Sequence, residues 1–92
     1  MFGKKGAVKY EVRLARSADA YYQKQTVKIQ KQFDKRFNKL SKSPNSGFQL
    51  KGELDGLWAI VSGNFRIEYR INEIDCAIEV IKIGPRGDIY KR

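Results

Sequence analysis

Arg66, Arg86 and Tyr90 are the residues whose types and spacing best suit chemistry. Arg66 comes early in Phe65-Arg66-Ile67-Glu68-Tyr69-Arg70-Ile71, a run that alternates apolar and charged residues, and it faces away from the apolar side. Arg86 sits in Gly84-Pro85-Arg86-Gly87, and Tyr90 follows four residues later. If the two runs pair as antiparallel neighbours, the start of the first lies beside the end of the second. Two guanidinium groups then approach each other, with Tyr90 folding back nearby. Such a set suits attack on a phosphodiester. A guanidinium holds two phosphate oxygens at once and stabilises the charge that grows on them. RNA brings its own nucleophile, the 2′-OH. A tyrosine held among cations can pass a proton or stack on a base. Lys82, Lys91 and Arg92 add charge for binding phosphate. Each residue also has a plainer reading. An exposed strand arginine is usually solvated, an arginine in a Gly/Pro turn is commonly loop surface, and a tyrosine near a terminus can close the core edge with its ring.

The composition narrows the mechanism further. The chain has no histidine and one cysteine, Cys76, so the usual base near neutral pH is missing and Cys/His zinc sites are excluded. No metal and no cofactor are expected. Catalysis would fall to Arg, Lys, Tyr, Asp or Glu. A single cysteine allows no disulfide within the chain and fits the reducing cytoplasm. The opening Met1-Phe2-Gly3-Lys4-Lys5-Gly6 is charged with no apolar stretch behind it, which does not read as a secretory signal. The longest apolar run, Leu57 to Val61, is too short to span a membrane. The net charge is +9, unevenly spread: residues 1–51 hold 13 Lys/Arg and 3 Asp/Glu, whereas residues 52–92 hold 6 and 7. A polyanion or an acidic protein is the natural partner of such a chain. The plainer reading is a solvated lysine face on a helix.

The elements that must position these residues follow from periodicity. The 92 residues suit one domain with a modest core. Val8 to Leu14 alternates, with Val8, Tyr10, Val12 and Leu14 on one side, and predicts a half-buried strand. Ser17 is the expected helix N-cap, with Asp19 in the first turn. No Gly or Pro interrupts the chain from there to Lys42. Tyr22, Ile29, Phe33, Phe37 and Leu40 fall on one helical arc, and Lys24, Lys28, Lys31, Lys35, Lys39 and Lys42 on the opposite one. Periodicity permits one long helix or a hairpin broken near Gln25-Thr26. Phe48 to Gly56 reads as a loop with two glycine corners. Strands are expected at Leu57 to Ser62, Phe65 to Ile71 and Cys76 to Ile83, with Cys76 a small strand hydrophobe and Trp58 a core or interface residue. Short turns make these three an antiparallel meander. The first strand crosses over the helical region and can pair parallel in the same sheet. The result is an α+β arrangement, with helices on one sheet face and the other face left for substrate or partner.

The segment Leu50-Lys51-Gly52 with Gly56-Leu57-Trp58, then Gly63-Asn64-Phe65-Arg66-Ile67-Glu68-Tyr69, then Ile83-Gly84-Pro85-Arg86 with Tyr90, resembles the RelE/ParE toxin superfamily, and the RelE type most closely. The resemblance implies a small curved, antiparallel-rich sheet in the order β-α-α-β-β-β, with two N-terminal helices packed on one face. It also implies the toxin of a type II toxin–antitoxin pair, neutralised by a cognate antitoxin protein and cutting mRNA on the ribosome without a metal. On motif position, Arg66, Arg86 and Tyr90 match the family's catalytic residues. Lys51, Arg70, Lys82, Lys91 and Arg92 are the expected RNA-binding cations. RelE-type nucleases usually carry two further basic residues on the strand before the Gly-Asn-Phe-Arg turn; here those positions are Ala59 and Val61. Two other activities therefore stay open: inhibition of DNA gyrase, as in the ParE branch, and antitoxin binding by a catalytically degenerate homologue.

Overall fold

The computed structural model describes residues 9–50 and 56–87. The order is β1 (Glu11–Leu14), α1 (Arg16–Gln23), α2 (Val27–Lys42), a 3-10 turn (Pro44–Ser46), β2 (Phe48–Gln49), β3 (Trp58–Ser62), β4 (Phe65–Asn72) and β5 (Ala77–Pro85). The strands form one sheet in the order β1-β5-β4-β3-β2. Among the described strands only β1 runs parallel to its neighbour, β5, as expected of a strand that returns through a crossover. The other pairs are antiparallel.

Of the two arrangements that periodicity permits, the hairpin broken near Gln25-Thr26 is the one present. Thr26 turns extended at φ −66°, ψ 161°, and its hydroxyl accepts from the Ile29 N–H at 3.3 Å. Gln30 Nε2 reaches back to the Tyr22 carbonyl at 2.9 Å and Gln25 Nε2 to that of Tyr21 at 3.1 Å, satisfying carbonyls at the end of α1. Ser17 is not the N-cap. That position is Ala15, whose extended backbone (φ −63°, ψ 162°) is fixed because its N–H still belongs to the strand ladder and donates to Val80 O at 2.8 Å. The helix starts where pairing stops, so Ser17 lies inside it and donates to Ile81 O. Asp19 does sit in the first turn.

Three further expectations change. Phe48-Gln49, read as loop, pairs with Ala59 and Trp58 as a short edge strand. Two residues are too few to show a period, so pattern alone could not reveal it. Cys76 is not a strand hydrophobe: it is exposed in the β4–β5 turn with φ +50°. The last strand instead runs through Gly84 and Pro85, with Pro85 opposite Phe65 at the strand end, where its missing N–H costs little.

The core lies between the hairpin and one sheet face. Phe33, Phe37 and Leu40 of α2 pack with Ile60, Ile67, Tyr69, Ile78, Val80 and Ile83. Tyr22 joins them, but from α1: its ring lies 6.2 Å from both Phe33 and Phe37, so the shared arc reflects the hairpin rather than one helix. Phe65 meets Phe33 edge-on at 5.1 Å and Tyr21 at 6.2 Å. Trp58 stacks on Tyr69 at 6.2 Å, a core role as expected. The lysine stripe of both helices is exposed. A bulge opposite Glu68/Tyr69 leaves Ile81 as the extra residue of β5. It lets Ile78, Val80 and Ile83 all face the core while Glu79 and Lys82 both face away. No described helix is long and apolar enough to cross a membrane.

Candidate functional site

On the sheet face away from the helices, the register lays out three rows of side chains. Val61, Arg66 and Gly84 form the first. Phe48, Ala59, Glu68 and Lys82 form the second. Arg13, Glu79 and Arg70 form the third. Arg86 continues β5 for one more hydrogen bond, its N–H donating to Asn64 O at 2.9 Å. It therefore stands two residues beyond Gly84, the partner of Arg66, and so diagonal to Arg66. The expected approach of Arg66 and Arg86 is supported by this register. Both sit at the sheet end defined by the β3–β4 turn, while Arg70 and Arg13 sit at the other end. Tyr90, Lys51, Lys91 and Arg92 lie outside the described residues.

The face is not open where Arg66 stands. Arg66 is 4% exposed and Glu68 2%, and Ala59 between them and the edge is fully buried. The Arg66 guanidinium carbon lies 5.6 Å from the centre of the Phe48 ring, a cation–π contact, and Arg66 Nε is 3.8 Å from Glu68 Oε2. The solvated strand arginine of the plainer sequence reading is thus replaced by one that is desolvated and oriented. Arg86, Lys82 and Arg70 are exposed. The exposed cations can gather an anion from solvent, and Arg66 reaches it once the Phe48 ring moves aside.

Sequence reasoning missed the residues that build this cover. Gly47 passes so close to β3 that a Cβ on it would meet Ala59 O at 2.2 Å and Tyr69 Oη at 2.7 Å. Only glycine lets β2 approach there. The Tyr69 hydroxyl donates to Pro44 O at 2.7 Å and accepts from the Gly47 N–H at 3.2 Å. Tyr69 thereby holds the chain that presents Phe48 to Arg66. Burial raises the Tyr69 pKa above its ordinary 10.0, with the Gly47 N–H pulling the other way. A signal was available: Gly47-Phe48 directly after Pro44-Asn45-Ser46 marks a tight approach followed by an aromatic. Among the described residues, no group of three or more His, Cys, Asp or Glu is placed to hold a metal.

Comparison with known proteins accounts for this architecture. The family described as the ParE toxin of the type II toxin–antitoxin system, parDE, matches residues 9–90. Toxin RelG of Mycobacterium tuberculosis is 33% identical over 57 residues; the match covers 61% of this chain and 66% of that toxin, just under two thirds of its length. Among solved structures, the M. tuberculosis RelBE2 toxin–antitoxin complex contains a chain with a TM-score of 0.78 and 27% identity, covering 89% of this chain and 97% of that one. The archaeal RelE–RelB complex of Pyrococcus horikoshii shares the fold at a TM-score of 0.70 and 23% identity, over 86% of this chain and 97% of that one. A YoeB/ParE toxin of Agrobacterium tumefaciens does so at 0.71 and 19%, over 82% and 96%. With the family matched over nearly the whole chain and two helices set between β1 and the antiparallel run β2 to β5, this protein belongs to the ParE toxin family of type II toxin–antitoxin systems, within the RelE/ParE superfamily.

Proposed function

We propose that the chain is an mRNA endonuclease acting on the ribosome in the cytoplasm, held inactive by a cognate antitoxin. The observation that carries this reading is the register that sets Arg66 and Arg86 on one sheet face at one end of the sheet. The 2′-OH of the RNA attacks the adjacent phosphate. Arg66, pre-oriented against Phe48, and Arg86, reaching in from solvent, stabilise the charge on the non-bridging oxygens. Tyr90 moves a proton or stacks on the flanking base. Lys82 and Arg70 guide the strand along the face, with Lys51, Lys91 and Arg92 supplying further charge. An antitoxin partner is supported by the RelBE2 toxin–antitoxin complex, in which a similar fold occurs.

A second reading, a toxin that inhibits gyrase by protein contact, is favoured by the row Phe48–Ala59–Glu68. There an exposed aromatic, a buried methyl group and a buried carboxylate stand where a nuclease would gain from cations. The test is expression without antitoxin, with mapping of mRNA 5′ ends. Cleavage at in-frame positions during translation is expected, falling by about 10²–10³-fold in Arg86→Ala, the scale of one lost transition-state donor. Growth arrest with intact mRNA and an induced DNA-damage response would move the protein to the gyrase-directed reading. Absence of both cuts and arrest would leave only a degenerate antitoxin binder.

A further inference from the structure

A second polar feature lies on the opposite side of the β3–β4 turn. Gln32, Lys35 and Arg36 of α2, with Ser62 and Gly63 of the turn, line a cavity of about 220 Å³. It is smaller than the roughly 300 Å³ at which sites for drug-sized ligands begin, yet holds several waters at about 30 Å³ each. That is room for a small polar group, not a whole cofactor. Its lining includes two cations and, among the described residues, no carboxylate.

The lining is built rather than incidental. Arg36 Nε donates to Val61 O at 2.9 Å, which fixes the guanidinium plane. Its two terminal amino groups have no hydrogen-bond partner among the described residues. Ser62 is 3% exposed, lines the cavity, and its hydroxyl likewise has no partner among those residues. The hydroxyl opens onto the cavity, where it can donate to or accept from an occupant. Gly63 takes φ +61°, as the first position of a tight hairpin turn requires. Gln32 Oε1 stands where a Cβ on Gly63 would meet it at 3.3 Å, so a side chain there would intrude on the lining. Lys35 is exposed at the rim.

Planar guanidinium donors, an ammonium, a carboxamide and a hydroxyl converging on a small cavity are the donor set for a tetrahedral oxyanion. We infer that this cavity binds a backbone phosphate of a single-stranded polynucleotide. The ligand class follows from continuity. Lys28, Lys31, Lys35 and Lys39 run exposed along α2 past the cavity, a track for successive phosphates rather than a seat for a single small anion. The turn that floors the cavity also carries, through Asn64 O, the backbone of Arg86 on the other side. A strand crossing the end of the sheet meets guanidinium groups on both of its sides. The inference does not depend on RNA cleavage, because it concerns the phosphate and not the sugar.

Fluorescence anisotropy with a labelled single-stranded DNA oligonucleotide tests it. DNA lacks the 2′-OH, so the probe stays intact whether or not the protein cuts RNA. Arg36→Gln is expected to weaken binding about tenfold, the scale of one charge-assisted contact, and to reduce the slope of log K against log salt by about 0.7. Lys24→Ala removes one charge from the same stripe away from the cavity and is expected to change affinity less than twofold. Lys35→Ala, which leaves the Arg36–Val61 bond in place, should weaken binding between these limits and guards against a folding defect in Arg36→Gln. In the wild type, amide resonances of Ser62 and Gly63 should shift on adding the DNA. Equal losses at Lys24 and Arg36 would mean a diffuse field and no site. Shifts with inorganic phosphate but none with DNA would make it a small-anion site and overturn the polynucleotide assignment. An RNA oligonucleotide of the same sequence then shows whether the sugar is also read.

Discussion

β4 is buried on both of its faces, and the two burials differ in kind. Ile67 and Tyr69 point into the core and are fully buried among aliphatic and aromatic neighbours. Arg66 and Glu68 point the other way and are 4% and 2% exposed, with the Phe48 ring over the Arg66 guanidinium. The core side gains free energy from removing apolar surface from water. The other side desolvates two charged groups, a cost that their attraction and their remaining contacts must offset. The proposed nuclease reading gives this buried pair a use, anion binding by Arg66.

The largest test of this contrast compares neighbours. Ile67→Ala is expected to cost about 2–5 kcal/mol in denaturant unfolding, from lost transfer energy and an unfilled cavity. Replacing the charged pair together, Arg66→Met with Glu68→Leu, is expected to leave stability unchanged or raise it by up to about 4 kcal/mol. The double variant should nonetheless lose toxicity in cells without antitoxin. A double variant as unstable as Ile67→Ala would mean that the charged side is structural and would remove the contrast.

Tyr69 joins the two sides and gives the next effect. Its ring belongs to the core, while its hydroxyl holds Pro44 O and the Gly47 N–H and so positions Phe48 over Arg66. Tyr69→Phe leaves both groups without this partner and is expected to cost about 1–3 kcal/mol. The pH dependence has a definite sign. The folded pKa is raised above 10.0, so ionisation favours the unfolded chain. This contribution is complete below pH 10 and declines as pH climbs through the folded value. Unfolding midpoints measured from pH 8 upward should fall less steeply above pH 10 in Tyr69→Phe than in wild type. Parallel slopes would show that the hydroxyl is not protected by burial.

How much of this was legible in the sequence depended on how many residues carried each signal. β4 alternates over seven residues, and its faces were assigned correctly from period alone. The aromatic positions of α2 repeat over several turns and were equally clear. The hairpin break rests on one threonine, because nothing near it is a glycine or proline, and Ser17 offered a better-looking cap than Ala15, which is set by the Val80 ladder bond instead. β2 was invisible because its pairing depends on Gly47 meeting Ala59, a contact between distant segments. For the site, the motif named Arg66 and Arg86, and topology placed them together. The burial of Arg66 could not be read, since alternation tells which way a side chain points and not what covers it. Arg36 and Ser62 were overlooked for a related reason: one looked like part of a solvated helix face and the other like a strand end.

The smallest effect lies at the far end of the same sheet face. Arg13 sits 3.2 Å from Glu11 and 3.3 Å from Asp75, and these contacts raise its pKa, Glu11 contributing most. All three side chains are 44–67% exposed, so water and salt screen the attraction and side-chain entropy opposes it. In distance this is a tighter ion pair than Arg66 with Glu68, yet it should matter less. Arg13→Ala is expected to leave the unfolding midpoint unchanged within error, at low and high salt, and to leave mRNA cleavage intact. A midpoint that drops in Arg13→Ala at low salt and recovers at high salt would show that the exposed network does contribute. The difference between the two ends of the face would then lie in screening alone and not in what the buried arginine is kept for.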